Sequence, residues 1–139
     1  MTISREQIAS TIQSYYQAWG TGDPQQVAAF FTADCVFEDL AFAARFEGHA
    51  GVRQFVEITF AGVPDFSITP TAVVVDEGQA AAAWTMTGTH AGDLPGLPAT
   101  SKPFTVRASS IIELQDDRIR RIVDYWSPLD FMRQVGLAK

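Results

Sequence analysis

Residues 118–127 read RIRRIVDYWS, and the orientation of this stretch as a β-strand decides whether an acidic side chain faces the interior of the fold. Side chains two positions apart share one face of a β-strand, so Ile122, Asp124 and Trp126 belong to the same face. We expect this face to point inward, because two of its three members are apolar. In the opposite orientation Asp124 would be a charge at the surface or in an interface.

The same period of two continues backward through the second half of the chain. The predicted strands lie at about 66–75, 79–90, 103–114 and 118–127. Short polar turns at 76–78 and 115–117 join neighbouring strands, as in an antiparallel meander. A longer connection at 91–98 contains two prolines, which stiffen it.

The first 60 residues show helical periodicity instead. Ser4 and Gln7 have the spacing of a capping box and predict the start of a helix. Its apolar positions, at helical spacing, are Ile8, Ile12, Tyr15, Tyr16 and Trp19. Asp23 and Pro24 predict the N-cap and first position of a second helix. That helix is expected to bury Val27, Phe30 and Phe31.

A short strand follows, in which Cys35, Phe37 and Asp39 alternate and therefore share one face. A third helix is predicted at about 51–60, and a last amphipathic helix begins near Pro128. Helices first and a meander afterwards indicate an α+β fold. We expect one domain over residues 1–139, with the helices stacked on one face of an antiparallel sheet.

Composition limits the possible partners. A net charge of −6 disfavours nucleic acid, whose phosphates require a basic surface, and it disfavours an anionic membrane as well. Apolar residues make up 47% of the chain, more than a minimal core of this size requires, which suggests a ligand cavity or an oligomer interface. The expected partner is therefore an apolar small molecule.

The cysteine content, the histidine spacing and the N-terminal sequence predict an intracellular protein without disulfides or metal. The single cysteine, Cys35, excludes an intrachain disulfide and cysteine-based metal motifs, and we interpret it as a buried apolar residue. His49 and His90 have no third ligand at a recognisable spacing, so we expect no metal and no cofactor. The N-terminus shows no signal-peptide pattern, and a cytoplasmic location is the default expectation.

Four groups of motifs, spread over nearly the whole chain, carry a family resemblance. They lie at 14–19 with 22–24, at 30–39, at 47–49 with 51–55, and at 88–98 with 122–126 and 133–136. In this order and spacing they resemble the nuclear transport factor 2-like superfamily. The last group is similar to SnoaL-like polyketide cyclases. The resemblance implies a cone-shaped α+β fold, in which a curved antiparallel sheet wraps around the N-terminal helices and leaves a deep internal apolar pocket. It also implies frequent dimerisation through the outer sheet face.

The resemblance also implies roles for individual residues. Asp39 matches the general-base aspartate of ketosteroid isomerases, and Tyr15 matches their oxyanion-hole tyrosine. Ser110 stands where those enzymes have a second, protonated aspartate as hydrogen-bond donor. Asp124 matches an acidic residue that limonene epoxide hydrolases and SnoaL-like cyclases carry on the final strand. The water-positioning arginine and aspartate of the hydrolases are replaced here by Ala108 and Ser110.

These considerations give a set of candidate residues. The candidate catalytic residues are Asp124, Asp39 and Tyr15. Those expected to contact substrate are Trp19, Phe37, Trp84, Met86, His90, Ser110, Ile122 and Trp126. A carboxylate in an apolar pocket is desolvated, so its pKa should rise into the range useful for acid–base work. Two such carboxylates in one pocket would act as one acid and one base.

Two functional hypotheses follow. The first is a cofactor-independent enzyme that cyclises, isomerises or opens an epoxide on a polyketide-like or terpenoid-like compound. The second is a non-catalytic module that binds a small ligand or forms a dimer. The dimer is expected on the outer sheet face, whose alternating residues are Arg107, Ser109, Ile111, Glu113, Val123 and Tyr125.

Overall fold

Four helices and six strands follow one another along residues 3–139, the part of the chain that the computed structural model describes. The helices are α1 (Arg5–Trp19), α2 (Pro24–Ala28), α3 (Gly48–Gly62) and α4 (Pro128–Gln134). The strands are β1 (Phe31–Asp39), β2 (Ala44–Glu47), β3 (Ser67–Asp76), β4 (Gln79–Thr89), β5 (Pro103–Gln115) and β6 (Arg118–Trp126). The predicted α+β class is confirmed, with the helices early in the chain and the long strands late.

The six strands form one sheet in the order β2-β1-β6-β5-β4-β3. The consecutive strands β3 to β6 are antiparallel neighbours, as the short polar turns predict. The pair of β1 and β6 is parallel, with Asp39 beside Asp124 in the register. A meander alone would not bring these two strands together, and this pairing joins β1 and β2 to the meander in one open sheet.

Helix α1 begins where its capping box predicts. The Ser4 side chain accepts a hydrogen bond from the backbone N–H of Gln7 at 3.1 Å, and the Gln7 side chain accepts one from the Ser4 N–H at 3.0 Å. The apolar face of α1 is buried against the concave side of the sheet, where Ile12, Tyr15 and Tyr16 are fully enclosed. No helix within residues 3–139 is long and apolar enough to cross a membrane.

The region before α3 differs from the prediction in two ways. Helix α2 ends at Ala28, and Phe31, expected to lie in that helix, opens β1. The polar run Thr32–Asp34 concealed the start of the strand, since Thr32 donates to Asp34 at 2.8 Å and the register with β6 shifts there. The four-residue strand β2 was not predicted, because it is too short for its alternation to be recognised.

The loop after β4 is pressed closely onto α3. The Gly92 N–H donates to the carbonyl oxygen of Gly62 at 2.9 Å, and a Cβ atom at Gly92 would overlap the Ala61 carbonyl oxygen. The same close packing places Leu94 against Gly62, and a Cβ atom at Gly62 would overlap the Leu94 side chain. Two glycines therefore allow the loop to place Leu94 at the open end of the sheet.

We expect Gly92→Ala to lower the free energy of unfolding by about 2 kcal/mol, because the added methyl group must displace the backbone of α3. Chemical denaturation followed by tryptophan fluorescence measures this. Ala91→Ser at the exposed neighbouring position is the matched control and should change stability little. Equal stability of the two variants would contradict the close packing of this loop.

Candidate active site

A narrow apolar cavity opens between the concave face of the sheet, α3 and α4. It contains about 550 Å³ of empty space, including its mouth. Its wall is formed by tryptophan, phenylalanine, aliphatic and methionine side chains, one threonine and two carboxyl groups. Of the lining residues described, only Asp39 and Asp124 are ionisable. The cavity wall is therefore apolar except for one acidic spot, formed by Asp39 and Asp124.

Asp124 lies at the inner wall of the cavity on β6, 6% exposed. Its Oδ1 accepts a hydrogen bond from Ser110 Oγ at 2.6 Å, and Ser110 Oγ in turn accepts one from Trp84 Nε1 at 2.9 Å. Burial raises the pKa of Asp124 well above its usual range, the Ser110 hydrogen bond opposes this, and the charge of Asp39 adds to it. Asp124 thus resists ionisation and holds a proton more tightly than an exposed carboxyl.

Asp39 ends β1 beside Asp124 and is 3% exposed. Its Oδ2 accepts a hydrogen bond from Trp126 Nε1 at 3.1 Å, and its Oδ1 accepts one from the backbone N–H of Phe42 at 3.2 Å. Burial raises its pKa, and the two hydrogen bonds oppose that rise because they favour the ionised form. Asp39 also caps the turn that carries Phe42 over the cavity mouth.

Hydrogen-bond donors in the cavity wall are already engaged by the protein. The indole N–H groups of Trp19, Trp84 and Trp126 donate to Tyr15, Ser110 and Asp39 respectively. The Thr59 hydroxyl donates to the Phe55 carbonyl oxygen at 2.9 Å. Among the described lining residues, a protonated carboxyl is therefore the only group free to donate to the oxygen of a bound ligand.

The structure brings six of the predicted site residues to the cavity wall. They are Asp39, Asp124, Trp19, Trp84, Met86 and Trp126. The alternation of β6 predicted this arrangement correctly: Ile122, Asp124 and Trp126 share the concave face, while Tyr125 on the other face is 44% exposed. Cys35, Phe37 and Asp39 likewise share the inner face of β1.

Five other predicted residues lie behind the wall rather than in it. Ile122 and Phe37 are fully buried core residues, and Phe37 packs edge-on against Phe55 with 5.0 Å between ring centroids. Ser110 is fully buried and donates to Asp124, so its proton is not directed at a ligand. Tyr15 OH accepts from Trp19 Nε1 at 3.0 Å in a buried setting.

His90, the fifth, serves the loop that follows β4. It is fully buried, with Nδ1 within 3.2 Å of Thr100 Oγ1 and Nε2 within 3.2 Å of the Leu97 carbonyl oxygen. Since a carbonyl oxygen can only accept, Nε2 carries the hydrogen. His90 therefore organises the loop and packs on Phe131 instead of reaching the cavity.

Several lining residues were not anticipated as site residues. They include Phe42, Phe55, Leu94, Phe104 and Phe131. Phe55 and Phe131 stood out only as apolar positions on predicted helices, which core residues share. Phe42 lies in a turn whose next residue, Ala43, has a φ of 52°, and it meets Trp126 edge-on at 4.9 Å. No sequence pattern specifies such a turn.

Comparison with known proteins agrees with this fold. The sequence profile of the SnoaL-like polyketide cyclases matches residues 9–135. No curated protein matches the chain by sequence. A proposed SnoaL-like polyketide cyclase from Jannaschia sp. CCS1 is similar in structure, with a TM-score of 0.84, 16% identity, and coverage of 100% of this chain and 99% of that one.

Two further solved structures share the fold. IdmH from Streptomyces antibioticus, described as a proposed polyketide cyclase, has a TM-score of 0.80 and 22% identity over 94% of this chain and 99% of its own. A protein with a ketosteroid isomerase-like fold from Catenulispora acidiphila has a TM-score of 0.83 and 20% identity, covering 91% and 92%. At these identities the likeness extends to the fold.

We expect Asp124→Asn to stabilise the protein at about pH 8, by on the order of 1 kcal/mol, and to lose this advantage as the pH falls. The folded chain binds its Asp124 proton more tightly than the unfolded chain, because burial raises the pKa. Stability from this group is therefore fully present below the ordinary carboxyl pKa and is lost as pH rises through the folded value.

Denaturation curves at several pH values measure this difference. Asp117→Asn, in the exposed turn between β5 and β6, is the matched control and should show no such pH-dependent gain. An Asp124→Asn variant that is less stable than wild type at high pH and unchanged at low pH would contradict the prediction.

Proposed function

This chain belongs to the family of SnoaL-like polyketide cyclases, and we propose that it catalyses acid–base chemistry on an apolar carbonyl compound of polyketide or terpenoid type. The observation that carries the proposal is the pair of buried carboxyls, Asp39 and Asp124, side by side in an apolar cavity. Aldol-type cyclisation is the favoured reaction, ahead of double-bond isomerisation and epoxide opening.

The two carboxyls are suited to different roles. Asp39 receives two hydrogen bonds and Asp124 receives one, so Asp39 is the first of the pair to ionise. Its negative charge then holds the proton on Asp124, since two adjacent carboxylates repel each other. The pair with one proton has Asp39 as the base and Asp124 as the acid.

In the proposed reaction the substrate carbonyl oxygen accepts a hydrogen bond from protonated Asp124. The Asp39 carboxylate removes a proton from the carbon next to that carbonyl while Asp124 passes its proton to the carbonyl oxygen, so that the electron pair of the broken C–H bond forms the C=C bond of an enol. The enol carbon then attacks a second carbonyl carbon of the same molecule, and the enol O–H proton returns to Asp124 as the first carbonyl re-forms. The new alkoxide takes the proton from Asp39, so that the carboxyls are regenerated and no external reactant is consumed.

The surrounding wall supports this chemistry by excluding water. Trp19, Trp84 and Trp126 surround the acidic spot with aromatic surface, and their N–H groups are satisfied within the protein. A low local dielectric strengthens the hydrogen bond from Asp124 to a developing enolate oxygen. The apolar wall also favours a flat, hydrophobic substrate over a charged one.

A non-catalytic binding role is the second candidate, and one observation favours it. The residues expected to form an oxyanion hole, Tyr15 and Ser110, lie behind the cavity wall with hydrogen bonds inside the protein. A ligand-binding module needs the cavity alone. An enzyme additionally needs a carboxyl that exchanges protons with the bound molecule, so proton exchange separates the two roles.

Exchange of the α-protons of an aromatic ketone such as α-tetralone, followed by NMR in heavy water, tests the proposal. We expect wild type to accelerate the exchange, and Asp39→Asn to reduce the rate by about 100-fold or more through loss of the base. Asp124→Asn should also reduce it strongly, because an amide donates a weaker hydrogen bond to the enolate.

The control is Asp117→Asn, which should exchange at the wild-type rate. Saturation-transfer NMR in the same samples reports whether the ketone binds. A ketone that binds wild type but exchanges only at the buffer rate would overturn the catalytic proposal and support the binding module.

We further propose that two copies of this chain associate through the outer sheet face. The register aligns Val74, Ala81, Ile111 and Val123 in one apolar row across four strands. Val74 is 67% exposed and Ile111 51%, whereas Val123, expected on the open face, is already nearly buried. An apolar row of this kind on a monomer is a common mark of an interface.

Sedimentation velocity at micromolar concentration should therefore show a species of twice the chain mass. Ile111→Glu should convert it to the single-chain species, since it places a charge in the centre of the row. Leu129→Glu is the matched control, an exposed apolar residue on α4, and should leave the dimer intact. A wild-type protein that sediments only as single chains would refute the interface.

A further inference from the structure

Tyr16 on α1 carries an unsatisfied polar atom in the core. The residue is 1% exposed, and its hydroxyl is the only buried side-chain nitrogen or oxygen within residues 3–139 that has no hydrogen-bond partner. A buried hydroxyl without a partner is costly, and native proteins contain few of them. A phenylalanine at position 16 would avoid this free-energy cost.

The hydroxyl lies next to the hydrogen-bonded chain that ends on Asp124. The Tyr16 ring packs on the Trp84 ring with 5.6 Å between centroids. Burial and the charge of Asp124 raise the pKa of Tyr16, while the neighbouring side chains of Ser110 and Trp84 lower it. Because Trp84 also donates to Ser110, this packing places Tyr16 against the Trp84–Ser110 pair, where its hydroxyl makes no hydrogen bond.

The donors in this chain have a fixed direction. An indole N–H can only donate, so Ser110 Oγ must accept from Trp84. The single Ser110 hydrogen is then directed to Asp124 Oδ1 at 2.6 Å, which makes Oδ1 the acceptor oxygen of the carboxyl. The acidic proton of Asp124 is consequently left to Oδ2. One lone pair of Ser110 Oγ remains unused, on an atom beside the Tyr16 hydroxyl.

We propose that Tyr16 is a positioning residue for Asp124. When Asp124 gives up its proton, the Tyr16 hydroxyl donates a hydrogen bond to the unused lone pair of Ser110 Oγ. This inference rests on the proposed acid role of Asp124. In the neutral state Trp84 alone supports Ser110. In the ionised state Tyr16 and Trp84 both donate to Ser110, and Ser110 donates to the carboxylate.

The physical reason is cooperativity between hydrogen bonds. A carboxylate draws its donor closer than a neutral carboxyl does, and the polarised Ser110 oxygen becomes a better acceptor for a second donor. Ser110, which accepts from two donors and donates to the carboxylate, then stabilises a charge that burial disfavours. The other ionisable groups around Asp124 are Asp39 on β1 and the phenol of Tyr15 on α1, and neither donates to Ser110.

The test is an NMR titration of the Asp124 side-chain carboxyl in the full chain, assigned by its loss in Asp124→Asn. Ser110→Ala should move the titration midpoint up by about one pH unit, because a charge-assisted hydrogen bond is lost. Tyr16→Phe should move it up by a smaller amount in the same direction. Ser109→Ala, the adjacent residue on the exposed face of β5, is the control and should leave it unchanged.

Tyr16→Phe is the decisive variant, since it removes one atom from a site that needs no partner and should fold normally. An unchanged Asp124 titration midpoint in Tyr16→Phe would overturn the inference, because the hydroxyl would then have no effect on the ionisation of Asp124. This measurement does not depend on turnover. Absence of ketone exchange in wild type would refute the proposed function, whereas the titration tests the role of Tyr16 alone. The alkaline limb of the exchange rate should move up with the midpoint in both variants.

Discussion

The parallel pairing of β1 with β6 is the contact on which the cavity depends. It places the last residue of β1 directly beside the centre of the final strand's inward face, so that Asp39 and Asp124 become neighbours. Antiparallel hairpins alone would have left β1 outside the meander, with Asp124 on the sheet and no second carboxyl beside it. Burial desolvates both groups, and their adjacency adds the repulsion on which the proposed division into acid and base depends.

Much of this architecture could be predicted from the sequence, because its local signals agree with one another. The capping box of α1, the polar turns after β3 and β5 and the alternation of β6 each identified an element near its observed bounds. The inward orientation of Asp124 also followed from the pattern, since Ile122 and Trp126 share its face and are apolar. The start of β1 was misjudged because Thr32 and Asp34 satisfy each other locally, which conceals the strand in a polar segment.

The composition of the cavity wall was harder to predict, for a physical reason. Alternation tells which face of a strand a residue occupies, but it does not tell whether empty space or another side chain lies in front of it. Phe37, Ile122 and Ser110 face inward as expected, yet helices and neighbouring side chains cover them. Phe42 and Leu94 reach the cavity from loops whose positions are set by the Asp39 cap and by two glycines, and such long-range packing leaves no periodic trace.

The two carboxyls stand 85 positions apart in sequence, at residues 39 and 124, and this separation has a consequence for how the protein is made. Strand β6 follows α1 to α3 and β1 to β5 along the chain, so these elements are synthesised before the acidic pair can exist. Contacts of such high sequence separation form late and slowly, because closing the intervening loop costs entropy. The acidic pair on which the proposed chemistry depends thus forms together with the tertiary structure, and partly folded chains lack it.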